Sequence, residues 1–384
     1  MKFVNLIFLI SVIGLCSCRQ DEPVIEDEPE LINTIPEFYL ETTKDVYGLN
    51  QPESKTLEFG LGAVFTPVDL DFQKAPGREN ELWILNQGTE NSGASTLIVL
   101  NPGQEDQEYE LRKDGNAWHF MAMATSLDFG TNGDFGTSQG ILDANRRNGS
   151  YTGPSLWPGD LDIYAKVGNP PTSSVNGSHL DMIHQSPYGM GICNLDENEY
   201  FVFDGFHGNL TYYNFSVGHY PGGADHGDGK VIHYGEVKLA KDPDLRIPGH
   251  MEIDEEKKYL YVVDTDNERI LKVNIQSGNL KTTPSIPLMH GERLALYGEM
   301  ENVEFETFNE GALSKPCGLA INENRLFVSD YNTGEIVCFD TNDKTELGRI
   351  STGQKGIMGI TIGPDNALYF VNYDENKAYK IEPK

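Results

Sequence analysis

Tyr259-Leu-Tyr-Val-Val-Asp264-Thr-Asp-Asn-Glu-Arg-Ile-Leu-Lys-Val-Asn274 is an apolar run, a polar break and a second apolar run. β-branched and aromatic residues around a short Asp/Asn/Gly turn are the signature of a hairpin. The shape returns in Arg325-Leu-Phe-Val-Ser-Asp330-Tyr-Asn-Thr-Gly-Glu-Ile-Val-Cys-Phe-Asp340 and in Glu199-Tyr-Phe-Val-Phe-Asp204-Gly-Phe-His-Gly-Asn-Leu-Thr-Tyr-Tyr-Asn214. Ala367 to Ile381 carries it too, and Glu81-Leu-Trp-Ile-Leu-Asn86 begins another copy with a longer turn. A further short strand precedes each hairpin: 68–72, 125–129, 189–192, 250–253, 318–321 and 357–360. Their last residues lie 57, 63, 61, 68 and 39 apart. Units of that size cannot each bury a sheet alone, so they must stack on one another. Radial stacking of four-stranded blades leaves only short edges. The expectation is an all-β chain folded as a six-bladed β-propeller over residues 55–384.

Composition agrees. Aromatics make up 10% of the 384 residues, and 40 Gly with 20 Pro imply many turns. A formal charge of -30 repels phosphate backbones, which argues against a nucleic-acid partner and favours cations or basic peptides. Only the first residues are apolar enough to approach a bilayer, so a polytopic transporter is excluded.

Strand, then Leu/Phe-Tyr/Phe-Val-x-Asp, then an Asn/Gly turn, then Ile-x-x-Phe/Val resembles the NHL repeat. Asp264 to Ile270 and Asp330 to Ile336 carry the resemblance most fully. It implies the same propeller. A seven-bladed alternative would hide its extra blade near 130–180, a Gly-, Asn-, Pro- and Ser-rich stretch otherwise read as a long loop insertion.

At the N-terminus, Lys2 and the apolar stretch Phe3 to Leu15 have signal-peptide proportions. Leu15-Cys16-Ser17-Cys18 resembles the bacterial lipobox, which implies a signal over 1–17 and lipidation of Cys18. The acid- and proline-rich segment that follows, within 18–50, is expected to be a disordered tether. It resembles the stretch behind the lipidated Cys in surface-exported lipoproteins of the Bacteroidetes type. The implied address is the bacterial outer membrane, at the cell surface or the periplasmic face, with membrane contact through the acyl chains alone. Cys193, Cys317 and Cys338 are an odd number without a CxxC pair, so a disulfide framework is not expected.

Histidines concentrate between His179 and His290. His184, Asp225, His226 and His250 are the candidate metal ligands, since imidazole and carboxylate among glycines suit Zn2+, and Asp also suits Ca2+. His119, Asp181, His207, Asp228 and Glu252 are candidate ligand-binding residues near the same mouth. Residues entering the innermost strands line the channel of a propeller, which could bring His184 and His250 together. The remaining His179, His219, His233 and His290 read as solvated or bonded to backbone. The column Asn86, Asp204, Asp264, Asp330 and Asn372 reads as turn caps. Trp118-His119-Phe120, Pro248-Gly249-His250 and Pro316-Cys317 resemble, each with one alteration, the segments that present three zinc-binding histidines in the peptide α-amidating lyase, an NHL propeller. Neither a GxSxG elbow nor a phosphate-cradling loop is present. The functional expectation is an anchored, monomeric propeller that binds a small ligand or peptide at a His/Asp-lined mouth, with or without a metal ion. The alternatives are a metal-dependent lyase or hydrolase and a protein-interaction scaffold.

Overall fold

A computed structural model of the chain describes residue 35 and residues 54–383, apart from 61, 167–176, 224–226 and 257. The described residues all belong to one compact unit, Leu31–Lys384. The signal segment, Cys18 and nearly all of the acidic tether lie outside the described residues. Among the described residues no helix is long and apolar enough to cross a membrane.

Strand β1 (Ser54–Thr56) opens the described chain. Blade one is β2 (Pro67–Phe72), β3 (Glu81–Thr89), β4 (Gly93–Leu100) and β5 (Glu108–Arg112). After a one-turn helix α1 (Ala117–Phe120), blade two is β6 (Ala124–Phe129), β7 (Phe135–Gln139), β8 (Ser155–Trp157) and β9 (Asp181–Met182). The stretch read as an insertion near 130–180 thus supplies the middle strands of this blade, with long loops between them. Blade three is β10 (Gly189–Asp196), β11 (Glu199–Asp204), β12 (Asn209–Asn214) and β13 (Lys230–Tyr234).

Blade four is β14 (Met251–Asp254), β15 (Tyr259–Asp264), β16 (Arg269–Asn274) and β19 (Phe305–Glu310), interrupted by a hairpin of β17 (Asn279–Lys281) and β18 (Leu296–Glu301). That hairpin leaves its own blade. β18 pairs in parallel with β13, so blade three becomes a six-stranded sheet. Blade five is β20 (Pro316–Asn322), β21 (Arg325–Asp330), β22 (Glu335–Asp340) and β23 (Glu346–Ser351). Blade six is β24 (Ile357–Ile362), β25 (Leu368–Asn372) and β26 (Lys377–Ile381), completed by β1 antiparallel to β26.

The first strand of every blade touches the first strand of the next. β2 packs on β6, β6 on β10, β10 on β14, β14 on β20, β20 on β24, and β24 on β2. The ring closes, and the fold is a six-bladed β-propeller. Both faces of most blades are covered by a neighbour, so strands such as Leu260-Tyr261-Val262-Val263 are buried on both sides. This is why the sequence shows unbroken apolar runs rather than alternation. Separate apolar clusters fill the junctions, for example Leu156, Leu180 and Ile183 of blade two against Ile192, Val202 and Tyr213 of blade three. Trp83 adds an aromatic knot, with the rings of Phe129, Phe135 and Tyr164 at 5.2, 5.2 and 5.4 Å. Burial of each such ring is worth about 1.5–3 kcal/mol.

At two glycines of the inner strands the neighbouring backbone comes too close for any side chain. A Cβ on Gly191 would stand 2.3 Å from the Gly249 carbonyl oxygen, and one on Gly318 would stand 2.2 Å from that of Met358.

The polar column at the ends of the second strands is buried and fully used. Asn86, Asp204, Asp264, Asp330 and Asn372 each tie their own blade to the segment entering it. Asn86 accepts from the Phe65 amide at 3.0 Å, Asp264 from Ala240 at 2.7 Å, and Asp330 from Ser314 at 2.6 Å. Asn372 donates to the Lys355 carbonyl at 2.8 Å, and Asp204 accepts from the Ser186 hydroxyl at 2.9 Å. In blade two Gln139 fills the role, accepting from the Ala122 amide at 2.9 Å. The device recurs in all six blades.

Candidate functional site

Three histidines meet over blades two and three. His119 lies in α1, His179 just before β9, and His184 between β9 and β10. With Asn116, Trp118, Phe120, Asn145, Tyr151 and Met182 they line a cavity of 330 Å3. The rings are held face on. His179 stacks on Phe120 at 3.5 Å between centroids, and Tyr151 on His184 at 3.6 Å. Burial pulls the His119 pKa below its ordinary value.

The inserted hairpin reaches this cavity. Glu292, in the loop between β17 and β18, holds His184 Nδ1 and accepts from the His184 amide at 3.0 Å. Gln185 donates to Glu292 at 2.7 Å and clamps Met289 through both its amide at 2.8 Å and its carbonyl at 3.0 Å. Burial alone would raise the Glu292 pKa; its bonds from His184 and Gln185 outweigh that and hold it below the usual range. Sequence reasoning passed over Glu292. The one available signal was the 68-residue interval between units four and five, the longest of the five.

His250 and Glu252 lie elsewhere. They line the axial channel with Asp69, Asp71, Asp128 and residues of all six inner strands, around a void of only 20 Å3. His250 Nε2 meets the Thr125 carbonyl at 3.0 Å and Nδ1 lies 3.5 Å from Asp69. Lys74, with a side chain 39% exposed, reaches two of these acids, its ammonium 2.6 Å from Asp128 and 3.8 Å from Asp71. Desolvation opposes that charge, yet the surrounding carboxylates push the Lys74 pKa well up. Desolvation and the Asp128 charge drive Asp71 and Glu252 well above the carboxylate range, against the pull of Lys74. The expected convergence of His184 with His250 therefore does not occur: each lines a different cavity, because His184 sits outside the inner ring and His250 inside it. The amidating-lyase pattern is not assembled either. His119 is at the outer cavity, His250 is in the channel, and the buried Cys317 thiol donates to the Ile357 carbonyl at 3.2 Å.

The other candidates spread over blade three and its flank. Asp181 is buried, with Oδ2 3.5 Å from His219 Nδ1, and Asp228 lies 3.2 Å from His219 Nε2. Asp225 and His226 lie outside the described residues. His290, as expected, meets backbone, at the Ser150 carbonyl at 3.1 Å. His207 Nδ1 donates to Asp204 Oδ2 at 2.7 Å. His233, read as solvated or bonded to backbone, is instead buried on β13, sharing hydrogen bonds with Thr211 Oγ1 and the Tyr297 hydroxyl at 3.0 Å each. Its burial pushes the His233 pKa down to about 4. Asp204, His207 and His233 offer ligand atoms within 4.8 Å of one another and could hold a metal ion, an arrangement the sequence did not reveal.

Solved structures share this architecture. An auxiliary nutrient binding protein from Bacteroides ovatus is 12% identical, with TM-score 0.53 over 86% of this chain and 76% of its own. One from Bacteroides thetaiotaomicron is 10% identical, with TM-score 0.55 over 88% of this chain and 78% of its own. A structural genomics protein of unknown function from the same species is 8% identical, with TM-score 0.51 over 87% and 73%. Identity this low speaks for the fold alone. No family model and no curated protein matches the chain, so the NHL resemblance finds no support beyond the propeller itself.

Proposed function

We propose that this chain is an NHL-like propeller lipoprotein of the bacterial outer membrane, anchored through Cys18, that binds a small ligand or peptide. The binding site is the cavity over blades two and three rather than the axial mouth. One observation carries the reading: 330 Å3 of space is walled by three imidazoles and the rings of Trp118, Phe120 and Tyr151. A few placed polar groups among aromatic walls is the usual composition of a ligand pocket. The docked insertion supports it further, since Glu292 fixes one imidazole before any ligand arrives. The void in the axial channel is too small for more than a water or an ion. The nutrient-binding descriptions of two structural neighbours, and the lipobox-like Leu15 to Cys18, support a place in the cell envelope.

Thermal-shift screening of the purified chain against oligosaccharides, short peptides and small carboxylic acids tests the reading. At least one compound should raise the unfolding temperature. Trp118→Ala and His119→Ala should each then weaken its binding about tenfold, or 1.4 kcal/mol. Hits indifferent to both substitutions, or no hit at all, would overturn the assignment.

A further inference from the structure

We propose that Asp204, His207 and His233 form a zinc site that fastens the inserted hairpin to blade three. The inference stands apart from the ligand cavity and rests on different residues. Two imidazoles and one carboxylate are a zinc donor set, whereas Ca2+ takes oxygen ligands almost exclusively. The three ligand atoms already lie within 4.8 Å of one another.

Blade three departs from its siblings here. At the same column position in blade four, Asp264 is answered by Arg269 at 2.7 Å and Asn267 at 2.9 Å. In blade five, Asp330 is answered by four backbone amides. Among the described residues, only blade three sets imidazoles around the carboxylate: His207 from its hairpin turn, and His233 facing it across β12, the two rings 5.2 Å apart. The backbone amides of Phe206 and His207 donate to Asp204 Oδ1 at 3.0 and 2.9 Å. Those bonds leave Oδ2 as the metal-facing oxygen, with Ser186 Oγ 2.9 Å away as its orienting donor.

An outer shell is also in place. Ligating histidines characteristically give their second ring N–H to a fixed acceptor. His233 has one in the Tyr297 hydroxyl at 3.0 Å from Nε2, so the ion would take Nδ1, displacing its present hydrogen bond to Thr211 Oγ1 at 3.0 Å. Tyr297 belongs to β18, so the ion would be coupled to the inserted hairpin through one side chain. The same hairpin is pinned at its far end by Glu292 and Met289. His207, whose side chain is 15% exposed, gives the ion its way in and room for solvent as the fourth ligand.

The test is zinc and cobalt titration of the chelator-stripped, purified chain. Native protein should bind one Zn2+ at this site, and Co2+ should give the visible absorption of a tetrahedral centre. His207→Ala, on a surface turn and checked for folding by circular dichroism, should bind one ion fewer and lose that absorption. Tyr297→Phe should keep the stoichiometry but bind about 10- to 100-fold more weakly. Native protein that takes up no zinc would overturn the proposal, and so would uptake that His207→Ala leaves undiminished.

Discussion

At the scale of single residues, the channel shows how burial decides charge. Asp71, Asp128 and Glu252 lie together at the channel with one ammonium, Lys74, beside Asp71 and Asp128, so acids outnumber bases there. Burial and Asp128 raise the Asp71 pKa in the folded chain, so the stability tied to this group is full below its unfolded value. It is lost as pH rises through the folded value. Asp71→Asn keeps the acceptor that meets the Phe72 amide at 2.8 Å and removes the charge. It should therefore stabilise the protein at pH 7.5, by about 1–2 kcal/mol after allowing for solvent screening, and the gain should fade near pH 4. Chemical denaturation across that pH range measures it; a variant less stable than the parent at pH 7.5 would refute the charge imbalance. Of the channel residues, His250 and Glu252 were legible, because they enter and continue an inner strand. Glu292 was not, since nothing in its own neighbourhood announces a hairpin that pairs with another blade.

Among elements, the recurring clamp between each hairpin and the segment entering its blade carries much of the cohesion. Asp330 is buried and accepts amides of Ser314, Lys315, Asn332 and Thr333 at 2.6–3.1 Å. Truncation would leave those donors short of partners in a site closed to water. Asp330→Ala should cost about 2–4 kcal/mol of stability, measured by urea denaturation, and Asp330→Asn should recover part of it. The turn-capping part of this role followed from Asp and Asn at strand ends. The link to the entering segment did not, because it joins residues that only the closed blade brings together. Blade two hid its version behind Gln139, a residue type without a turn preference to betray it. Its strands were equally hard to find, since β8 and β9 hold only three and two residues.

For the whole molecule, six blades leave little room at the axis. Gly318 stands against the Met358 carbonyl with no space for a methyl group. Gly318→Ala should push blades five and six apart and cost about 1–3 kcal/mol, read as a lowered melting temperature. A substitution without effect would mean that the ring is wider than described. The propeller was readable from the regular return of hairpins and inner strands. Where the cavities sit was not, because position along the radius depends on how far each loop strays from the ring, and loop sequence carries little of that.

The pairing of Ser54–Thr56 with Lys377–Ile381 lets the earliest described strand finish the latest sheet. Order along the polypeptide and order around the circle are thereby decoupled. A rearranged gene that opens the chain at another seam and joins these neighbours by a short linker would still encode all six sheets.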